Sequence, residues 1–190
     1  MTTAARRPAE PLLPEGVGSA DDTATLSLAA DFTAEKTAWA FVDSTLIRLR
    51  RTALSPRVHT AAGELVANAL EHGLADATAD PRAEPFPHPL VITLLSEGPD
   101  LLCAVFDPGT GLPRKGQGHG LHLVAAASDA WGWTEPGPWG KAVWSALSPT
   151  GSAPSPALTR RLLLLAELFT GSPRPHLVTA ERPPGVRGLL

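Results

Sequence analysis

The sequence lacks several features, and each absence narrows the class of protein. Its one cysteine, Cys103, cannot form an internal disulfide, so we expect a reduced, cytoplasmic protein. No apolar run approaches the roughly 20 residues that a membrane-spanning helix needs, and no apolar stretch follows Arg6 and Arg7 as a secretory signal requires. The net charge of −3 provides no strongly cationic surface. We therefore expect neither nucleic acid nor a membrane as a direct partner.

Composition and apolar pattern divide the chain into one domain and two terminal segments. Residues 1–22 are rich in Pro, Gly and Ala without periodicity, which predicts a disordered tail. Residues 23–148 carry the patterns of a single domain. Residues 149–190 predict a linker, an amphipathic helix at about 156–170 and a flexible tail rich in Pro and Arg. We expect this helix to dock on the domain or on a partner, and we favour the domain.

In the central domain, apolar residues that recur every second residue predict strands, and apolar residues that recur every 3.6 residues predict helices. The first helix should bury a stripe of Trp39, Val42, Leu46 and Leu49. The second should begin at Ser55-Pro56 and stop at Gly73. These elements predict an α/β (α+β) two-layer sandwich, with helices on one face of a mixed, mostly antiparallel sheet. We expect strands at 23–29, 90–95, 101–106, 130–134 and 141–147, and helices at 33–51, 55–72 and 118–128.

A first motif lies on the second helix, where Glu64 and Asn68 are four residues apart and therefore neighbours on one face. The amide oxygen of Asn68 is a hard ligand that suits Mg²⁺, which takes its other ligands from water and phosphates. The carboxylate of Glu64 could accept a proton from an attacking hydroxyl. The pair by itself is equally typical of a solvated helix face.

A second motif, Asp107-Pro108-Gly109-Thr110-Gly111, directly follows an apolar strand. An aspartate at this point can accept a hydrogen bond from an exocyclic amine such as that of adenine. The two glycines let the backbone turn and approach a flat ring without Cβ clashes. An ordinary Asp-Pro-Gly turn is the alternative interpretation.

A third motif, residues 116–124, is a glycine-rich stretch that enters a helix. Backbone N–H groups at a helix start bind phosphate, helped by the helix dipole. The stretch is not a dinucleotide fingerprint, because no strand immediately precedes it, and it lacks the Gly-Lys-Ser/Thr ending of a P-loop. A flexible loop remains the alternative.

Together and in this order, the three motifs resemble the N box and the two glycine boxes of the GHKL ATPases, which include histidine-kinase ATPase domains. The anti-sigma-factor serine kinases are the most similar branch. Their typical ELVTNAxxH matches residues 64–72, their GRGLxLV matches residues 118–124, and their closing GKTVW matches residues 140–144. The resemblance spans about residues 23–147 and implies a Bergerat ATP-binding fold with ATP and Mg²⁺ as cofactors.

The resemblance also implies roles for individual residues. Asn68 would hold Mg²⁺, Glu64 would be the general base for a serine hydroxyl, and Asp107 would recognise the adenine amine. The remaining nucleotide-binding positions lie in the two glycine boxes: Gly109, Gly111, Gln117, Gly118, Gly120 and Leu121.

Two departures from the family pattern bear on function. Ala142 replaces the usual threonine, whose hydroxyl helps to hold adenine, and His119 replaces the usual arginine. We expect a protein serine kinase that binds a sigma factor or its antagonist in a partner-switching circuit. The alternatives are a non-catalytic nucleotide-sensing or protein-binding module and an orphan histidine-kinase catalytic domain. A homodimer remains open.

Overall fold

The computed structural model describes residues 22–74, 90–113, 120–149, 151 and 153–180. The predictions made for the terminal segment 1–21 and for the tail from residue 181 onward lie outside the described residues. The same holds for Gln117, Gly118 and His119 of the third motif.

Six strands form one sheet in the described part of the chain, and each is antiparallel to its neighbours. Alternating apolar residues and β-branched residues favour the strands, and a tight turn at Gly98, with φ of 53°, joins the second to the third. The spatial order is β1-β2-β3-β5-β4-β6. The strands are β1 (Thr23–Leu28), β2 (Leu90–Glu97), β3 (Asp100–Asp107), β4 (Ala130–Thr134), β5 (Lys141–Leu147) and β6 (Leu177–Thr179).

The described residues form four α-helices beside the sheet: α1 (Ala34–Arg48), α2 (Ser55–Asn68), α3 (Gly120–Ala127) and α4 (Pro156–Thr170). Ser55 is the first residue of α2 and makes no side-chain cap, so the predicted N-cap is wrong by one position. The α-helical part ends at Asn68, and the chain continues as a π-helical turn over Ala69–Gly73. The helical segment as a whole therefore reaches its predicted end at Gly73. This turn brings the end of the helical segment to the loop that follows β3.

The strands bury apolar side chains on both faces of the sheet. Leu90, Ile92 and Leu94 face α1, α2 and α3, whereas Val91 and Leu95 face α4. The predicted α+β sandwich is confirmed. Two details differ, because the described sheet is antiparallel rather than mixed, and α4 adds a helix on the opposite face. Both faces of β2, β3 and β5 are apolar, so an uncovered second face would expose a large apolar surface.

Docking of the last helix on the sheet is confirmed. Its predicted stripe, Leu158, Leu162, Leu165 and Phe169, is buried. Ser155 caps the helix by accepting a hydrogen bond from the backbone N–H of Leu158. The helix ends at Gly171 in the left-handed conformation, with φ of 68°.

Two further sequence predictions are wrong. The segment after Ser172 was expected to be flexible, but Leu177–Thr179 pairs with β4 as the sixth strand. Trp39 was placed in the buried stripe of α1, yet its side chain is 49% exposed. Ala34, Ala38, Val42 and Leu46 fill that stripe, because small side chains allow α1 to approach the sheet and α2 closely. No helix in the described ranges is long and apolar enough to cross a membrane.

Candidate functional site

Glu64 and Asn68 lie one turn apart on α2, and the first residue of α3 lies against both. A Cβ added to Gly120 would stand 2.7 Å from Glu64 Oε2 and 3.4 Å from Asn68 Nδ2. Any larger residue at position 120 would therefore displace the Glu64 carboxylate. The fold thus brings three of the predicted site residues together where α3 begins.

The amide of Asn68 has an unusual environment. Its Nδ2 atom is buried and has no hydrogen-bond partner among the described residues. Buried polar groups in native proteins nearly always have a partner, and an unpartnered one costs about 1–3 kcal/mol. Amide nitrogen and oxygen can exchange places by a flip of the side chain, so the same direction can carry the oxygen. The residue is therefore suited to a ligand that supplies the missing contact.

Asp107 is the last residue of β3 and is buried. Its Oδ1 atom accepts hydrogen bonds from Lys141 Nζ at 2.8 Å and from the backbone N–H of Gly109 at 2.9 Å. Lys141 Nζ also donates to the carbonyl of Gly109 at 3.0 Å. Charge-assisted bonds of this kind are stronger than neutral ones, so Lys141 fastens the loop after β3 to the aspartate.

Glycines from three segments surround Asp107. A Cβ on Gly73 would stand 2.5 Å from Asp107 Oδ1, and one on Gly109 would stand 2.7 Å from Gly73 Cα. A Cβ on Gly140, whose φ is 123°, would stand 1.9 Å from the Asp107 carbonyl oxygen. These approaches are too close for any other residue, so the π-helical turn, the loop and the start of β5 meet at this aspartate.

The two clusters lie on the same side of the sheet. Cys103 and Val105 belong to the core beneath α1, α2 and α3, and the two-residue period places Asp107 on that face too. Gly73, which touches Asp107, follows Asn68 by five residues, roughly 7 Å along a helix axis. One helical segment thus carries the Glu64–Asn68–Gly120 cluster and reaches the Asp107 cluster.

The remaining predicted residues are placed less decisively. Gly111 lies exposed in the loop after β3, and Leu121 is partly buried against the helix-side core. Gln117 and Gly118 lie outside the described residues. No group of three or more His, Cys, Asp and Glu side chains in the described ranges is arranged to hold a metal ion.

The expectation for Ala142 needs correction. Its side chain belongs to the core on the opposite face of the sheet, where it packs with α4, so a threonine there would not face Asp107. Lys141 is the residue of β5 that stands opposite Asp107 in register. Lys141 and Gly73 were not predicted as site residues. The two-residue period of β5 shows that Lys141 and Ala142 face opposite sides of the sheet. Only the pairing register of β5 with β3 shows that Lys141 is the residue that faces Asp107.

No protein-family model matches the chain, and no curated protein matches it in sequence.

Proposed function

We propose that this chain is an ATP- and Mg²⁺-binding regulatory protein of the GHKL type, and that it acts as a protein serine kinase. The observation that supports the proposal most directly is the arrangement along one helical segment, where Gly120 contacts Glu64 and Asn68 and Gly73 contacts Asp107. Three motifs that are far apart in sequence therefore meet on one face of the sheet. The partners we propose are a sigma factor or its antagonist, in the cytoplasm.

The residues fit an adenine nucleotide in one orientation. Asp107 would accept a hydrogen bond from the adenine amine, since an ionised carboxylate offers about four acceptor sites and can hold further donors beside Lys141 and Gly109. The phosphates would lie towards the start of α3, where backbone N–H groups favour anions. Gly120 packs closely on Asn68 and Glu64, so these two side chains would lie at the phosphate end of the nucleotide.

Asn68 fits Mg²⁺ in the manner usual for this ion, with few protein ligands and the rest from water and phosphate. Its Nδ2 position is buried and unpartnered, and a flip of the side chain would bring the amide oxygen to that position, which supports the assignment. When bound, the ion would neutralise negative charge on the phosphates. The role of Asn68 is to fix this position, because its own backbone lies within the rigid helix α2.

Glu64 is the group that would handle the proton. The oxygen of the partner's serine forms a bond to the γ-phosphorus, and the bond between that phosphorus and the bridging oxygen breaks to release ADP. The serine proton passes to the Glu64 carboxylate. This carboxylate lies beside Asn68 on the same face of α2, so the proposed base and the proposed metal ligand would lie one turn apart.

Two matched glutamates test the proposal. Glu64→Gln should abolish transfer of labelled phosphate to a sigma-factor antagonist while Mg-ATP still binds in a calorimetric titration. Glu71→Gln, on the same helical segment with its side chain 75% exposed, should change neither. Asn68→Ala should weaken Mg-ATP binding. Unchanged phosphate transfer in Glu64→Gln, or unchanged affinity in Asn68→Ala, would contradict the kinase assignment.

A non-catalytic module is the second candidate, and the Lys141–Asp107 pair is the observation that favours it. The carboxylate assigned to adenine already accepts hydrogen bonds from a buried ammonium group and from Gly109. If a calorimetric titration with Mg-ATP gives no heat, the role that remains is partner binding. A histidine kinase would instead produce an acid-labile label on its partner.

A further inference from the structure

A groove runs between α1 and α2 beside Glu64. Its volume is about 500 Å³, and its lining includes Glu35 and Trp39 from α1 and His59, Gly63 and Glu64 from α2. The groove therefore reaches the carboxylate proposed as the base from the side of α1. Its lining does not include Asp107, Gly109 or Gly73, which pack together after the C-terminal end of α2.

Trp39 forms one wall of this groove and is 49% exposed. Its indole lies over Gly63, where an added Cβ would stand at ordinary contact distance, 3.5 Å from Trp39 Nε1. Phe32, which precedes α1 by two residues, is 97% exposed. Tryptophan is among the residue types that contribute most of the binding free energy at protein interfaces.

Carboxylates dominate the charge of the groove. Glu35 and Glu64 line it from opposite helices. His59, the lining residue that could carry positive charge, has its Nε2 atom 2.8 Å from the Asp43 carboxylate. A negative cleft with an aromatic wall attracts a cationic side chain, because charge complementarity and the face of the indole act together.

We propose that this groove binds an extended segment of the partner protein that carries a lysine or arginine beside the serine or threonine to be phosphorylated. The cation lies against Trp39 and Glu35 while the hydroxyl reaches Glu64. Because Gly63 contacts Trp39 and precedes Glu64, the two groups of the segment lie about one to three residues apart at roughly 3.5 Å per residue. This proposal rests on the proposed function, since Glu64 defines its end point.

Labelled peptides test the groove. A serine-centred peptide with arginine two residues from the serine is compared with the same peptide carrying glutamine there, by fluorescence anisotropy. The arginine peptide should bind about three- to ten-fold more tightly, as expected for one cation–aromatic contact and one partly exposed ion pair. Trp39→Ala and Glu35→Gln should each remove most of that difference, and Trp39→Phe should retain part of it.

Ile47→Ala is the control, because Ile47 is 67% exposed on the same helix and does not line the groove. Equal binding of both peptides overturns the proposal, as does no binding of either, or an equal effect of Trp39→Ala and Ile47→Ala. Circular dichroism establishes that each variant is folded.

Calorimetry with Mg-ATP separates this inference from the proposed function. Preference for the arginine peptide without any Mg-ATP binding would contradict the kinase proposal and leave the groove as a docking site. Mg-ATP binding without a preference for the arginine peptide would contradict the proposed binding groove and leave the kinase proposal standing.

Discussion

Lys141 Nζ lies 2.8 Å from Asp107 Oδ1, and both side chains are buried. The two residues stand opposite each other on β5 and β3, at the end of the sheet that meets the π-helical turn after α2. A buried charge without a partner is costly, so each of the two residues supplies the counter-charge that the other needs inside the protein. The aspartate assigned to adenine is thus held by a structural cation as well as by its own loop.

Lys141→Met should lower the free energy of unfolding by about 3–5 kcal/mol, because it leaves the Asp107 carboxylate buried without its counter-charge. Urea denaturation measures the change. The double variant Lys141→Met/Asp107→Leu should recover most of the loss, since apolar pairs often replace buried ion pairs at little cost. A double variant as unstable as the single one would show that the pair is not the source of the effect.

Two glycines of the same helical segment should respond in opposite ways to alanine. Gly73→Ala should destabilise the protein and weaken Mg-ATP binding, because the new Cβ would stand 2.5 Å from Asp107 Oδ1. Gly63→Ala should stabilise it by about 1 kcal/mol, the usual gain in helix propensity, since its Cβ would meet only Trp39 Nε1 at 3.5 Å. Denaturant titrations of both variants provide the comparison, and destabilisation of equal size would be evidence against a special role for Gly73.

Gly120→Ala should separate stability from activity. The added methyl would stand 2.7 Å from Glu64 Oε2, which is the end of a flexible side chain and can move aside. We expect an unchanged or slightly raised unfolding free energy, because alanine favours helix, together with at least a ten-fold loss of phosphate transfer. Transfer at the normal rate would mean that the position of Glu64 against α3 is not important for the reaction.

Arg161 should anchor α4 to the edge of the sheet. Its guanidinium donates to the carbonyls of Ser96 and Asp22 and to the Thr23 hydroxyl. Burial lowers the pKa of Arg161, but the group stays charged because arginine is not deprotonated in proteins. Arg161→Ala should cost about 1–3 kcal/mol by leaving buried acceptors unsatisfied.

The neighbouring Arg160 supplies the matched control, because it is exposed on the same helix. Arg160→Ala should change the unfolding free energy by less than about 0.5 kcal/mol. Hydrogen exchange in β1 should accelerate only in the Arg161 variant. Unchanged exchange in the Arg161 variant would show that α4 is held by its apolar stripe alone, and equal acceleration in both variants would show that the effect is not specific to Arg161.

Cys103 should make stability fall in alkaline solution. Desolvation raises the pKa of this fully buried thiol from 9.0 to about 12. Above pH 9 the thiol of the unfolded chain loses its proton while the thiol of the folded protein keeps it. The contribution of Cys103 to the free energy of unfolding is therefore fully present below pH 9. It declines as pH rises towards 12, by at most about 1.4 kcal/mol per pH unit. Urea titrations at pH 8 and pH 10 measure this, and Cys103→Ala should decline less. An identical decline in both proteins would assign the effect to other groups.

Local sequence patterns predicted much of the framework. The stripe of Leu158, Leu162, Leu165 and Phe169, with its Ser155 cap and its Gly171 end, located α4 within a residue, because caps and helical period are short-range effects. The paired strands were predicted at 90–95 and 101–106 from their apolar runs and the turn between them, and the structure extends them to Leu90–Glu97 and Asp100–Asp107. The three motifs could be found individually, yet each was ambiguous by itself.

The amino-acid sequence by itself determined the order of helices and strands from β1 to α4 and the residue types available for chemistry, since both follow from periods and side chains within a few residues. The tertiary structure alone decided that Lys141 and not Ala142 faces Asp107, that Gly73 and Gly120 close on the polar residues, that Trp39 borders a groove, and that α4 covers the second face. Strand register and the choice of face depend on burial among segments far apart in the chain. No local period contains that information.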